Sequence, residues 1–306
     1  MKYKNNLQHI SKGKFSPDLK FEGEGFSFLY SYIRKNASTS FKLLFKHLHP
    51  DLCHGEVPSI SCMAKHVQVE SSDPDKIDSL YATKIFVYRD PVERVFSVYK
   101  NKLIQKDGAV DILGKLEQVI GRDPALLTFD EFVNEYVALL QGERWQDVDG
   151  HLYPQTWHLL PITYTKAIHI NNVYQEMQGI LPKNLCNSVF KEPSNSTTKG
   201  SVALSFADSD CPAIYFRKKY LRDRALPALN QVLTPATEVL LREIYADDYQ
   251  MIEEVEGNLK ASITLNELPA TDLSFELKAS VSSLSDAFSA SLDFSIPENT
   301  KNESKV

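Results

Sequence analysis

Residues 85–99 constrain the fold of this chain more than any other stretch. They open with the apolar, β-favouring run Ile-Phe-Val-Tyr, which is typical of a strand buried inside a parallel sheet. Asp90 follows as a good helix N-cap, and Pro91 suits the first helical position, where its missing N–H is not needed. The pattern predicts a buried strand, a tight turn and a helix, as in an α/β sheet.

Three polar side chains of this stretch are placed to bind an anion. Arg89 would lie at the carboxyl end of the strand, where open α/β sheets bind their ligands. Arg94 and Ser97 are three residues apart, so they share one helix face near its N-terminal end. Arginine, a hydroxyl and a helix N-terminus together suit a phosphate-sized anion. The alternative is a surface turn with solvated arginines.

A second strand, turn and helix precede this unit. Residues 1–24 are polar and predict no regular element, whereas residues 26–33 are rich in β formers and predict a strand. The next turn carries Lys35 and several hydroxyls, and the apolar positions from 41 to 48 suit a helix packed on a sheet. Backbone N–H groups, the helix dipole and Lys35 would cradle a phosphate. The turn lacks the G-x-x-x-x-G-K-[ST] pattern of nucleoside-triphosphate loops, and a plain polar helix start is the alternative.

Together the two motifs resemble those of sulfotransferases that use 3′-phosphoadenosine 5′-phosphosulfate (PAPS). The pattern Arg-Asp-Pro-x-x-Arg-x-x-Ser-x-Tyr, residues 89–99, looks like their 3′-phosphate-binding motif, and its continuation Tyr-Lys-Asn-Lys is similar to the carbohydrate sulfotransferases of the 4-O and 2-O type. The first turn resembles their 5′-phosphosulfate loop, with Lys-x-Gly/Ala-x-Thr at its centre, although Arg34 stands where the family usually has Pro. The resemblance implies that PAPS is held by Lys35, Asn36, Ala37, Ser38, Thr39, Ser40, Arg89, Arg94 and Ser97.

The same resemblance implies the remaining site residues. Lys35 would neutralise charge on the leaving 5′-phosphate. His66 matches a His-Val pair at a similar place in the family and would be the catalytic base, a role that suits a neutral imidazole of pKa about 6.5. His151 is the other candidate, in a segment similar to the family's His-Trp-x-x-Gln region near the acceptor; a surface loop is the alternative. Lys199 lies where the family has a loop that closes over the nucleotide.

Composition limits the partners that this chain can bind. The 306 residues carry a net charge of −6, so no global basic field attracts nucleic acid. The four cysteines show no C-x-x-C spacing, so neither a zinc site nor a redox pair is predicted, and the site residues require no metal. No apolar run is long enough to span a bilayer and no signal-peptide core is evident, so we expect a cytoplasmic protein.

We expect an α/β fold with a central parallel sheet flanked by helices, the P-loop-like fold that the resemblance implies. It would occupy residues 1–256. Residues 257–306 form a Ser-rich appendage in which apolar residues alternate with polar ones, for example over 259–265. The alternation predicts amphipathic strands, a helix is the alternative for part of it, and disorder is expected from 297 onward.

The resemblance implies transfer of a sulfuryl group from PAPS to an acceptor hydroxyl on a carbohydrate or glycoconjugate. Two other functions stay open at this point. One is a small-molecule kinase of related topology, against which the missing triphosphate loop counts. The other is a non-enzymatic interaction protein that keeps a nucleotide pocket and binds its partner through the tail.

Overall fold

A computed structural model describes residues 16–70, 73–192, 201–205 and 207–267. Its centre is a four-stranded sheet in the order β1, β2, β3, β4, formed by Asp18–Gly23, Phe26–Ser31, Lys84–Tyr88 and Lys166–His169. β2 and β3 pair in parallel, as do β3 and β4, whereas β1 pairs antiparallel with β2. The α/β expectation is confirmed, with a sheet that is mostly rather than wholly parallel.

The antiparallel strand β1 is an element that the sequence did not predict, because residues 1–24 read as polar. β1 and β2 form a hairpin in which Asp18 faces Ser31 and Gly23 faces Phe26. Gly25 turns the chain with φ of 78°, a conformation that glycine adopts without strain. Buried Ser31 donates a hydrogen bond from Oγ to Oδ1 of Asp18 at 2.6 Å, so the polar side chain of Asp18 is paired inside the sheet.

Twelve α-helices lie in the described residues. The first five are α1 (Ser38–Leu48), α2 (Pro50–Cys53), α3 (Ile60–Val67), α4 (Pro74–Leu80) and α5 (Pro91–Val98). α5 continues directly into a π-helical turn, Tyr99–Ile104. The remaining helices are α6 (Val110–Ile120), α7 (Phe129–Glu135), α8 (Val173–Met177), α9 (Lys183–Phe190), α10 (Ala213–Asp223), α11 (Pro235–Ile244) and α12 (Ala246–Glu267). A short parallel pair joins β5 (Val202–Ala203) to β6 (Ala225–Leu226).

Two hydrophobic clusters support these elements. One lies between the sheet and α1, α3, α8 and α9, and in it the rings of Tyr30 and Phe41 stack with centroids 3.7 Å apart. The other joins α5 and the π turn to α6, α7, α10 and α11, around the buried rings of Tyr99, Phe129 and Phe132. Both predicted strand–turn–helix units, β2–α1 and β3–α5, are therefore anchored by packing on their apolar faces.

The prediction of strands in the tail is wrong for residues 259–265, which lie in α12. Extending an existing helix fixes one residue for each hydrogen bond gained, whereas a new strand would need a partner strand. Residues 268–306 lie outside the described residues, and the domain boundary at 256 stays a prediction. The chain divides into two compact units, Met1–Glu253 and Glu254–Val306, and the site below belongs to the first. Among the described helices, none is both long and apolar enough to cross a bilayer.

Candidate active site

A cavity of about 1180 Å³ opens where β2, β3 and β4 end. Its wall is formed by the loop after β2, the start of α1, Arg89 after β3, α5 with the π turn, and the turn after β4. Seven basic side chains line it against two carboxylates, those of Glu93 and Asp107. The basic residues are Arg34, Lys35, Lys42, Arg89, Lys100, Lys102 and Lys191. The cavity is therefore strongly cationic in a chain whose net charge is −6, which suits a polyanionic ligand.

The loop after β2 has the backbone shape of a phosphate cradle. Lys35 and Ala37 are held in the left-handed region, with φ of 69° and 54°, and Ala37 is the N-cap of α1. Few residues other than glycine adopt this conformation, so the loop is strained, and such strain concentrates at binding sites. Of the five predicted loop residues beside Lys35, four line the cavity: Ala37, Ser38, Thr39 and Ser40.

Asn36 does not line the cavity, which corrects its predicted role in holding PAPS. The side chain is fully buried and donates from Nδ2 to the carbonyl oxygen of Val87 at 2.9 Å and to Oε1 of Gln155 at 2.6 Å. Asn36 therefore ties the loop to the end of β3. Its Nδ2 is used within the protein, whereas its buried Oδ1 has no hydrogen-bond partner among the described residues.

The Lys35 ammonium lies deep in the cavity and is close to other cations. Burial, and then repulsion from Lys102 and Arg89, lower the pKa of Lys35 to about 7. Burial and Arg89 likewise lower the pKa of Lys100 to about 8. Burial is the larger cause of both depressions, and the neighbouring positive charges add to it against the opposing effect of Asp107 or Glu93. A bound anion would restore the charged form of each lysine.

Arg89 and Ser97 reach the cavity as the sequence predicted. Asp90 caps α5 by accepting a hydrogen bond from the backbone N–H of Glu93 at 2.9 Å, and Pro91 opens the helix. Arg89 donates from Nη2 to Oε2 of Glu93 at 3.4 Å, while its buried Nε has no hydrogen-bond partner in the part of the chain that the structure describes. The hydroxyl of Ser97 donates to the carbonyl of Arg94 at 2.9 Å, which leaves its lone pairs to accept.

Arg94 has a structural position, which corrects its assignment to the phosphate site. It is fully buried and absent from the cavity wall. Its Nε donates to the carbonyl of Arg34 at 3.3 Å, and its Nη2 donates to the carbonyls of His151 and Tyr153 at 3.1 and 2.6 Å. Arg94 thus holds the loop after β2 against the loop that carries His151, while its buried Nη1 has no hydrogen-bond partner among the described residues.

His151 lines the cavity as half of a histidine–carboxylate pair. Its Nδ1 lies 2.5 Å from Oδ1 of Asp149, and the same carboxylate oxygen accepts the backbone N–H of His151 at 2.8 Å. Although burial opposes it, hydrogen bonding to His151 and the charge of nearby Arg34 lower the pKa of Asp149 to about 2. Burial lowers the pKa of His151 against the opposing effect of Asp149. The imidazole is therefore neutral near pH 7, with Nε2 as the nitrogen available to accept a proton.

His66 lies away from the cavity, which corrects its predicted role as the base. It is exposed near the end of α3, and its ring centroid is 6.5 Å from that of Phe45, toward the C-terminal end of α1. The phosphate loop adjoins the other end of α1. The distance in sequence between His66 and the Arg-Asp-Pro motif does not determine near which end of α1 the histidine lies. Lys199 lies outside the described residues.

The sequence analysis missed two buried residues that assemble the site. Gln155 accepts the backbone N–H of Arg89 at 3.0 Å and donates from Nε2 to the Arg89 carbonyl at 2.9 Å. Asp248, near the start of α12, accepts hydrogen bonds from the backbone N–H groups of Gln155 and Thr156 at 2.8 and 2.9 Å and from both their side chains. The sequence signal for Gln155 was the similarity of its segment to the family's His-Trp-x-x-Gln region.

A smaller cavity, of about 390 Å³, opens where β2, β3 and β4 begin, near Phe26, Thr83 and Lys166. Lys166 is its charged lining residue. Within the described ranges, no three His, Cys, Asp or Glu side chains are grouped so that they could hold a metal ion. The cationic cavity is therefore the site to which the sequence motifs and the structure both point.

Comparison with known proteins identifies the family. The model of the sulfotransferase family matches residues 21–252, about three quarters of the chain, and this range contains every wall of the cationic cavity. Searches of curated proteins and of solved structures gave no significant match. A family match of this extent covers both strand–turn–helix units and the loop of His151. The chain belongs to the sulfotransferase family.

Proposed function

We propose that this chain transfers a sulfuryl group from PAPS to an acceptor hydroxyl on a carbohydrate or glycoconjugate. The observation that carries the proposal is the convergence of the loop after β2 with Arg89 and Ser97 on one cationic cavity. In the resembled enzymes the two motifs bind the two phosphate ends of one nucleotide. Family membership supports sulfuryl transfer in general, and the cavity supports this donor.

The residues present fit PAPS on physical grounds. PAPS carries anionic groups at both its 3′ and 5′ ends, and the cavity carries seven cations against two carboxylates. The depressed pKa values of Lys35 and Lys100 indicate ammonium groups that an anion would stabilise. The Nε of Arg89, which has no partner among the described residues, is a donor that an anion would satisfy. Arg89 and Ser97 would hold the 3′-phosphate, while Lys35, Ser38 and Thr39 would hold the 5′ end at the N-terminus of α1.

Catalysis would depend on positioning and charge stabilisation, as in phosphoryl transfer. PAPS supplies the sulfuryl group and a good leaving group. Lys35 would stabilise the negative charge that develops on the leaving 5′-phosphate. His151 would accept the acceptor's hydroxyl proton at Nε2, with Asp149 holding Nδ1 and stabilising the imidazolium that forms. No residue of this arrangement requires a metal.

The acceptor class rests on the family resemblance, in which the segment of His151 is similar to a region near the acceptor. The nearby rings of Trp145, Tyr153 and Trp157 pack on one another with centroids 5.6–5.8 Å apart and belong to the hydrophobic core rather than to the cavity wall. The absence of nucleic-acid partners and the cytoplasmic location stay predictions from the sequence.

The test is calorimetric binding of adenosine 3′,5′-bisphosphate, the product nucleotide. We expect the wild-type protein to bind it and Arg89→Ala to raise Kd by at least about 30-fold, because a charge-assisted contact to phosphate contributes roughly 2 kcal/mol. Arg144→Ala is the matched control, since Arg144 is 58% exposed and pairs with Asp147 away from the cavity. An absence of binding to the wild type would remove the proposal and favour an interaction protein. Preferential binding of ATP with γ-phosphate transfer would favour a kinase.

A further inference from the structure

The ammonium of Lys35 is hydrogen-bonded across the cavity. Its Nζ donates to Oδ1 of Asn101 at 3.0 Å, a contact between residues 66 positions apart in the chain. Asn101 is buried, with 8% of its surface exposed, and it lies in the π turn after α5. The contact joins the loop that would hold the 5′ end of the nucleotide to the helix that would hold its 3′-phosphate.

The amide of Asn101 can be oriented in only one way. Its Nδ2 donates to Oδ2 of Asp107 at 3.1 Å and to Oε1 of Gln105 at 3.5 Å. The backbone N–H of Asp107 also donates to the carbonyl of Asn101 at 3.0 Å, which fixes the carboxylate beside the amide. An ammonium only donates and a carboxylate only accepts. A flipped amide would lose both contacts, so Oδ1 must face Lys35.

The π turn brings Asn101 to the cavity wall together with its neighbours. The backbone N–H of Gln105 donates to the carbonyl of Lys100 at 2.9 Å, five residues back, and the side chains of Lys100, Asn101 and Lys102 all line the cavity. Arg217 of α10 holds the end of the turn by donating to the carbonyls of Ile104 and Gln105 at 3.0 and 3.2 Å. Such local π turns are a recurrent feature of functional sites.

We propose that Asn101 is a positioning residue for Lys35, which it holds in place and in the charged form at the phosphate loop. This inference rests on the proposed sulfuryl transfer, in which Lys35 is the catalytic cation. The charged groups that act on Lys35 are Lys102, Arg89, Asp107 and Arg94. Three of these four are cations that disfavour the ammonium, and Asp107 favours it. A fixed neutral acceptor adds to the effect of Asp107 without competing for the anion.

The test measures the protons taken up when adenosine 3′,5′-bisphosphate binds at pH 7, by calorimetry in buffers of different ionisation enthalpy. The part that depends on Lys35 is obtained by repeating each measurement with Lys35→Met. With a free-state pKa of about 7, Lys35 in the wild type should contribute about half a proton. Asn101→Ala removes the acceptor, so the contribution should rise toward one proton. Asn101→Asp adds a carboxylate, so the contribution should fall toward zero.

The matched control is Asn171→Asp, which adds the same charge to the wall of this cavity from the turn after β4. It should weaken nucleotide binding modestly and leave the Lys35-dependent uptake as in the wild type. Equal uptake in wild type, Asn101→Ala and Asn101→Asp would overturn the inference while leaving the proposed function intact. Absence of nucleotide binding to the wild type would instead remove the proposed function. The Lys35-dependent proton uptake is expected to change in opposite directions in the two Asn101 variants, so either variant that folds decides the question.

Discussion

At the scale of single residues, the site depends on polar groups whose partners are far apart in sequence. That Lys35, Arg89 and Ser97 would lie together could be predicted because each occupies a fixed place in a local motif, and all three line the cavity. Asp149 could not, because its role arises only when the loop folds it against the imidazole of His151 at 2.5 Å. The choice between His66 and His151 was likewise beyond local sequence, since only tertiary packing decides which histidine reaches the cavity.

We expect His151→Ala to lower kcat at least about 100-fold, because in the proposed mechanism it removes the group that accepts the hydroxyl proton. Asp149→Asn should lower kcat by a similar factor, since the imidazole loses the carboxylate that orients it. The pKa of His151 is lowered from its ordinary value, so wild-type kcat/KM should rise through a pH below about 6.5. It should fall again above about pH 7, where Lys35 of the free enzyme loses its charge. The measurement is turnover of labelled sulfate donor with an acceptor found by screening.

His66→Ala is the matched control for this prediction, because His66 is an exposed histidine outside the cavity. It should keep wild-type turnover. A large loss in His66→Ala with little change in His151→Ala would restore the base to His66. Adenosine 3′,5′-bisphosphate affinity should change little in any of these variants.

At the scale of elements, local signals predicted well and pairing between distant segments did not. β2, β3, α1 and α5 were predictable because β-favouring runs, the Asp90 cap and Pro91 act within a few residues. β1 was missed because a short strand with charged residues is stabilised by its hairpin partner rather than by its own composition. The π turn and the anchoring of residues 155–156 by α12 depend on contacts that no local pattern encodes.

Asp248→Ala tests the anchoring by α12. Four donors from Gln155 and Thr156 would lose their acceptor inside the protein, so the free energy of unfolding should fall by at least about 2 kcal/mol. Urea unfolding measures the loss. Asp247→Ala is the control from the same helix, because Asp247 is exposed and should contribute less than about 1 kcal/mol through the helix dipole. Similar losses for the two variants would contradict the anchoring role.

At the scale of the whole molecule, the charge distribution places the cavity's cations where they disfavour the folded state but suit a charged ligand. The chain has a net charge of −6 but concentrates seven cations in one cavity, where they repel one another. Composition predicted that the chain has no global basic field. It could not reveal the local positive field of the cavity, because a net charge does not say where the charged residues lie in the fold. The protein folds despite this repulsion, as is common at sites that bind charged ligands.

Lys35→Met should therefore raise the melting temperature at neutral pH. The folded-state pKa of Lys35 is about 7, below the unfolded value of about 10.4. Between these values the unfolded chain binds more protons, so stability of the wild type rises with pH through this window. The gain from Lys35→Met should be largest near pH 6 and shrink toward pH 10. Lys183→Met, at an exposed position in α9, is the control and should show no such trend.

Gln155 has a geometric consequence for what the cavity accepts. One side-chain amide is bonded both to Asn36 in the loop after β2, at 2.6 Å, and to the backbone of Arg89 after β3, at 3.0 and 2.9 Å. Gln155 thereby holds the loop after β2 and the residue after β3 at one fixed separation. In the proposed binding mode the site selects a ligand by the distance between its two phosphates as well as by their charge. In that mode, a nucleotide isomer with the same charges at another spacing would place one phosphate at its binding motif and leave the other motif without a phosphate.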